Sequence, residues 1–389
     1  MTHANTRHRH RSSSSDVGGR LAETLSAALV IAIGMGFGRF AFTGMYPLMV
    51  SEGLMSLKGG SLVASSNYVG YLVGAILVSW LAPPRAAAAA RGAMLGSVLC
   101  LALLALPGGL WWIGAIRFIA GVFSAISLIT ASVWLLQVIE HPRGAPLLFS
   151  GVGFGIFVSA ELIASGVALH ADSAVLWSAL AFSAALLSLI AWPALGKAAL
   201  PAGQREPGEQ VHEQVMMKPW ILVLIYGLAG FGYIITATYL PLLIKSTATT
   251  IDPLQVWAAF GIGAMPSCFF WHTLHMKLGT RRAMSINLVS QSIGVVLPVL
   301  VPNLFGFLLS ALLVGGTFVG TVTIAMSAGK RLAHRVRFNI LASMTAVYGG
   351  GQIAGPLVAG ALLAHTNSFS SSLISAAVAL LVAALISLV

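Results

Sequence analysis

Three ionisable side chains stand inside long apolar stretches of this sequence: Arg39, Arg117 and Glu161. A charge in hydrocarbon is costly, so it marks a functional position by default. Arg39 belongs to Gly36-Phe37-Gly38-Arg39-Phe40-Ala41-Phe42-Thr43-Gly44-Met45-Tyr46-Pro47-Leu48-Met49. A planar guanidinium there suits an anionic ligand group, or a counter-charge that protonates. The competing role is an anchor on backbone carbonyls. Arg39 lies roughly 16 Å from the end of its segment by helical rise, and Arg117 and Glu161 about 9 and 12 Å from the ends of theirs. Glu161, the lone acid of the three, and Arg117 are the candidates for proton coupling, in which protonation of Glu161 frees an arginine. The alternatives for Arg117 are a permanent ion pair with Glu161 and a residue that locks helices together.

Uncharged polar and aromatic side chains join the candidate list as lining of a binding cavity: Thr43, Tyr46, Asn67, Tyr71, Tyr233, Thr236, Tyr239, Tyr348 and Gln352, with Thr238 beside them. Asn67 and Tyr71 are four apart, as are Tyr348 and Gln352, so each pair shares a helix face. Bonding between helices is the alternative use of such groups. His272 and His275 are three apart but lack a third ligand, so a metal is not expected. No phosphate-binding loop, HExxH or nucleophile elbow occurs, so nucleotide-driven or hydrolytic chemistry has no support and no cofactor is expected.

The elements that must carry these residues are membrane helices. Of the 389 residues, 58% are hydrophobic and 8% charged, where a soluble domain has about 25% charged. The net charge of +11 does not point to nucleic acid, because the basic residues fall in short loops. Cys100 and Cys268 lie in apolar segments and imply no disulfide framework. With about 20 apolar residues per span, the chain divides into twelve: 24–50, 61–82, 91–107, 111–138, 145–169, 174–195, 219–245, 254–276, 283–301, 303–327, 339–364 and 368–389. Pro107-Gly108-Gly109 and Pro302-Asn303 must serve as tight turns. With the N-terminus inside, seventeen Lys and Arg lie on the inner side and only Lys58 and Lys245 on the outer. That bias places both termini in the cytoplasm.

The sequence also repeats itself. At an offset of 194, Gly36, Phe37, Gly38, Pro47 and Leu48 recur as Gly230, Phe231, Gly232, Pro241 and Leu242; Gly121 maps on Gly315 and Gly155 on Gly349. The expected organisation is a disordered tail (1–20), a six-helix bundle (21–195), a cytoplasmic linker (196–218) and a second six-helix bundle (219–389). Parallel repeats of this kind carry substrate at the midplane between the halves.

Several segments resemble the major facilitator superfamily. Lys277-Leu278-Gly279-Thr280-Arg281-Arg282 is similar to its basic loop motif, and Arg117-Phe118-Ile119-Ala120-Gly121 to its RxxxG motif. The stretches GFGRFAFTGMYPLM, SSNYVGYLVGA (65–75), RFIAGVFSAISLITASVWLL (117–136) and YGLAGFGYIITATYLPLL (226–243) resemble the YbfB/YjiJ-type branch. The resemblance implies an all-α, twelve-helix fold and alternating access, with Lys277, Arg281 and Arg282 at a cytoplasmic gate. Two departures stand out. Ala82-Pro83-Pro84-Arg85-Ala86 lacks the acid of the loop motif, and Gly151-Val152-Gly153-Phe154-Gly155 lacks the antiporter Gly-Pro, which occurs instead at Gly355-Pro356.

The expectation is therefore a monomeric inner-membrane secondary transporter, not an enzyme. It would move a small organic solute by proton coupling, and the net positive charge of the three buried groups favours an anion. An exporter of amphipathic compounds or drugs, and a non-transporting sensor or scaffold on the same fold, are the alternatives.

Overall fold

The computed structural model describes residues 5–196, 217–247 and 250–389, with the backbone alone for 5–17, 247 and 334. Within them the chain is helical, without a β-strand. Helix α1 is α-helical over Asn5–Ile31, π-helical over Ala32–Phe40 and α-helical again over Ala41–Ser51. There follow α2 (Leu57–Val78), α3 (Ala86–Leu104), α4 (Leu110–Val133), α5 (Ala145–Ala168), α6 (Ser173–Ala191) and α7 (Pro219–Thr247). The helical run Pro253–Leu300 contains non-helical Gly279, at φ 74° and ψ 172°, and divides there into α8 (253–278) and α9 (280–300). The order closes with α10 (Leu304–Leu332), α11 (Ile340–Thr366) and α12 (Ser370–Ile386). Counting Pro253–Leu300 once, ten helices of the described residues are long and apolar enough to cross a membrane, and Ser370–Ile386 is a shorter apolar helix.

Short polar residues set the helix starts. Ser56, Asp172, Asp252, Asn303 and Asn339 each accept a hydrogen bond from a backbone N–H two or three residues ahead, satisfying donors that a helix N-terminus leaves over. At Gly279 the backbone takes a φ that costs only glycine nothing. Both limbs beside it pack on α10: Ser267 and Trp271 of α8 donate to the Gly316 carbonyl at 2.8 and 2.7 Å, and Asn287 of α9 to Thr317 O at 3.0 Å. The chain therefore folds back on itself at this glycine.

Helices α1 and α7 run through the middle. Every residue of 30–47 and of 232–244 is buried. Contacts between the first and second halves of the chain run α1 to α7, α2 to α11 and α5 to α8. Glycines allow the closest approaches. Gly36 of α1 lies on Gly155 of α5, with no space for a Cβ on either. Gly153 of α5 meets Gly261 of α8, where an added Cβ would stand 2.5 Å from the Gly261 carbonyl oxygen.

Several expectations change. Residues 5–20, expected as a disordered tail, are helical; extending an existing helix avoids the nucleation cost. Most of the expected linker, 197–216, lies outside the described residues. The glycine that meets α7 as Gly155 meets α1 is Gly351, not Gly349: Gly351 approaches Gly227, Gly230 and Phe231, while Gly349 faces Leu72 of α2. Gly38 faces Ser97 of α3 whereas Gly232 faces Leu380 of α12, so these two glycines do not share an environment. The π-helical stretch of α1, absent from α7, turns this glycine to a different side.

Candidate functional site

The site is built on the π-helical stretch of α1. Its wide turns are visible at the end, where the Ala41 N–H donates to Gly36 O, five residues back. Such turns cluster at functional sites because they re-aim the side chains after them. Arg39 is on the last turn, with 2% of its surface exposed. Its guanidinium carbon lies 4.4 Å from the Tyr71 ring centroid, 4.8 Å from Tyr68 and 5.2 Å from Phe40. The ring faces stabilise the cation where water is excluded. Its hydrogen bonding is sparse: Nη2 reaches Tyr233 Oη at 3.5 Å, and the buried Nε has no acceptor.

Arg117, 1% exposed, explains how the stretch is held. From α4 it donates to Gly38 O at 2.7 Å and to Arg39 O at 2.9 Å, and its guanidinium carbon lies 4.7 Å from the Phe42 ring centroid. A planar fork reaches two successive carbonyls, which a lysine cannot do. The permanent Arg117–Glu161 pair is thereby overturned. Arg117 bonds the α1 backbone, and Glu161 Oε2 accepts from Gln255 Nε2 of α8 at 3.4 Å. The carbonyls of Gly38 and Arg39 are the acceptors within reach of the Arg117 guanidinium, while the Glu161 carboxylate turns to α8.

The second half supplies the opposite wall. Gln352 of α11 donates through Nε2 to Tyr233 Oη at 2.6 Å, and its buried Oε1 has no donor. Arg39 and Gln352 thus meet on one phenol oxygen. The Tyr233 ring is stacked with Phe318 of α10 (5.3 Å, 8°) and Tyr348 (6.0 Å, 15°), and Tyr348 with Tyr226 (4.2 Å, 17°). Four nearly parallel rings thus line one side.

The structure brings Arg39, Tyr71, Tyr233, Tyr348 and Gln352 together. Other candidates serve elsewhere. Asn67 donates to Arg117 O at 2.8 Å and packs on Gly121, so it joins α2 to α4; Tyr68, not singled out from the sequence, takes the place beside Tyr71. The polar character of Asn67 drew attention to the wrong neighbour. Phe318 gave no signal beyond an apolar helix position. Thr236 is buried with no partner for its hydroxyl. Thr43 donates to Ala237 O at 2.7 Å. Tyr46 donates to Leu57 O at 2.5 Å. Tyr239 Oη is 2.6 Å from Ser61 Oγ and 3.0 Å from Pro356 O. At the α8–α9 turn, Lys277 and Arg282 are exposed and Arg281 is half-buried; the inner side of that turn is held by Arg331, whose Nη2 lies 2.9 Å from His275 Nε2 and donates to Thr280 Oγ1 at 3.2 Å. Among the described residues no cluster of three metal-ligating side chains occurs, and Cys100 and Cys268 are free and buried.

Among the described residues, hydrogen bonds join the two halves at Arg39–Tyr233, Thr43–Ala237, Tyr68–Thr238, Tyr239–Ser61, Ser65–Ile353, Lys245–Pro47 and Gln255–Glu161. These bonds lie between the level of Arg39 and the end of the molecule where α1 finishes. Two of them, Arg39–Tyr233 and Thr43–Ala237, join residues 194 apart, which is the offset of the sequence repeat.

In a comparison with curated proteins nothing matches. A family model described as "uncharacterised MFS-type transporter YbfB" matches residues 31–388, nearly the whole chain and every helix around Arg39. The polytopic apolar fold agrees with it, and the chain belongs to this family of major facilitator transporters, as a multi-pass membrane protein.

Proposed function

We propose that the protein is a secondary transporter of small organic anions, which bind Arg39 between two six-helix bundles near the membrane midplane. The observation that carries this reading is a buried guanidinium whose donors are almost unspent. A buried charge without full hydrogen bonding is costly, and a carboxylate would satisfy two of its donors at once. The near-parallel rings beside it suit a flat apolar part of the same solute, so amphipathic anions fall within the class.

In this reading α8 and α9 count as two spans, giving twelve with α12, in bundles 21–195 and 219–389 joined by 196–218. Bonds between residues 194 apart support a two-fold relation, because a residue that touches its own repeat equivalent lies on the axis relating the copies. The Lys and Arg bias puts both termini in the cytoplasm of a cell whose inner membrane holds the protein. The bonds between the halves named above then close the outer side. Rocking of the bundles breaks them and opens that side. Glu161 faces Gln255 across the α5–α8 crossing, where separation of the bundles would strip its partner, and it is the proposed proton carrier. The protein works as a monomer, without metal or cofactor.

Counterflow of labelled organic anions in proteoliposomes tests the reading. Wild type exchanges at least one carboxylate, Arg39→Gln exchanges none, and Glu161→Gln keeps counterflow but loses accumulation driven by a pH gradient. Normal exchange by Arg39→Gln would remove Arg39 from the binding site. Normal pH-driven accumulation by Glu161→Gln would end its coupling role.

A further inference from the structure

The buried groups around Tyr233 specify more than an anion. We infer that the transported anion is a 2-hydroxy carboxylate whose hydroxyl is read by Gln352, an inference that rests on the anion-binding role of Arg39. Two side chains meet on the Tyr233 phenol oxygen, one from each half of the chain: Arg39 Nη2 at 3.5 Å and Gln352 Nε2 at 2.6 Å. Each keeps one buried polar atom unpaired. On Arg39 it is a donor, Nε; on Gln352 it is an acceptor, Oε1. Both residues are almost fully enclosed, at 2% and 1% exposed.

The ligand that completes this pair carries an acceptor and a donor close together. A carboxylate takes the guanidinium edge, since Tyr68, Tyr71 and Phe40 already occupy the space around the cation. The donor for Gln352 Oε1 belongs near the carboxylate, because Arg39 Nη2 and Gln352 Nε2 share the Tyr233 phenol oxygen. A hydroxyl on the 2-carbon meets that demand. An ammonium at the same position would set a second positive charge beside Arg39, while the carboxylate of Glu161 is engaged with Gln255 at the α5–α8 crossing. The hydroxyl is therefore favoured over the amine. The stack of Phe318, Tyr233, Tyr348 and Tyr226 accepts an aromatic or apolar substituent on the same carbon.

Such a ligand also bridges the two halves. Its carboxylate is held by α1 and its hydroxyl by α11, so binding draws the bundles together around it.

Mandelate and phenylacetate differ by this one hydroxyl, and calorimetric titration of the purified protein separates them. A buried acceptor left without its donor costs about 1–3 kcal/mol, so mandelate should bind roughly five- to 150-fold tighter. Discrimination against an amine is tested with phenylglycine, which should bind more weakly than mandelate. Gln352→Met should bring mandelate and phenylacetate to equal affinity; if that variant does not fold, the wild-type comparison decides alone. Equal binding of the two acids by wild type, with both lost in Arg39→Gln, overturns the hydroxyl assignment and leaves the anion site standing. Binding of both acids that survives Arg39→Gln overturns the anion site and this inference with it.

Discussion

Arg39 and Arg117 are the same residue type, buried to the same degree and adjacent in space, yet their hydrogen bonding differs. Each leaves its buried Nε without an acceptor, but both Nη groups of Arg117 bond carbonyls, of Gly38 and Arg39, while Arg39 has one long bond to a phenol. The first arrangement is that of a structural clamp, the second that of a group waiting for a partner. Hydrogen bonds from a charged donor contribute about 1.5–3 kcal/mol each, so Arg117→Met should lower the melting temperature clearly and weaken anion binding as well, because it releases the backbone of Arg39 itself. Arg117→Lys reaches one carbonyl and should recover part of the stability. A variant Arg117→Met with unchanged melting and binding would show that α1 holds its shape without the clamp. The sequence placed both arginines inside spans, and that much follows from hydropathy. It could not distinguish their roles, because the difference lies in which acceptors tertiary packing brings within about 3 Å. The same limit explains Asn67 and Tyr68: neighbouring residues of one helix face different helices, and side-chain polarity does not say which lies beside Arg39.

At the level of helices, most of the fold follows from the length of the apolar runs and from turn chemistry. The caps at Ser56, Asp172, Asp252, Asn303 and Asn339 are readable from residue type, and the helices begin beside them. The π-helical stretch of α1 is not readable in this way. Apart from Arg39 its residues, Ala32 to Phe40, are ordinary for a membrane helix, and Arg117 holds the wide turns through the Gly38 and Arg39 carbonyls. The consequence reached as far as the repeat: Gly38 and Gly232 correspond in sequence but face α3 and α12. Glycine contacts between helices lead to a further prediction. Gly153 and Gly261 let α5 and α8 touch where the two halves of the chain meet, and a Cβ on Gly153 would come within 2.5 Å of the Gly261 carbonyl. Gly153→Ala should therefore disfavour the arrangement in which the α1 C-terminal end is closed. A single cysteine placed at Ser61 should react faster with a membrane-impermeant thiol reagent in that background than in wild type. An unchanged or slower rate would mean that the α5–α8 contact does not control that end.

For the molecule as a whole, hydrogen bonds among the described residues fasten the two halves on one side of the level of Arg39, several of them through side chains of α7. Arg39 belongs to one half; Tyr233, which it reaches, and Gln352, which bonds Tyr233, belong to the other. A solute that binds all three has different contacts when the halves separate, and that difference is what allows a ligand to shift a conformational equilibrium. The account stands on the claim that Arg39 is the anion-binding group. Melting curves of purified wild type and Arg39→Gln, titrated with a panel of carboxylates and their neutral amides, test it most directly, because a ligand that binds the folded state raises the melting temperature by mass action. At least one carboxylate should raise the melting temperature of wild type with concentration, its amide should not, and Arg39→Gln should fold but respond to neither. A carboxylate that stabilises wild type and Arg39→Gln to the same extent would contradict the account.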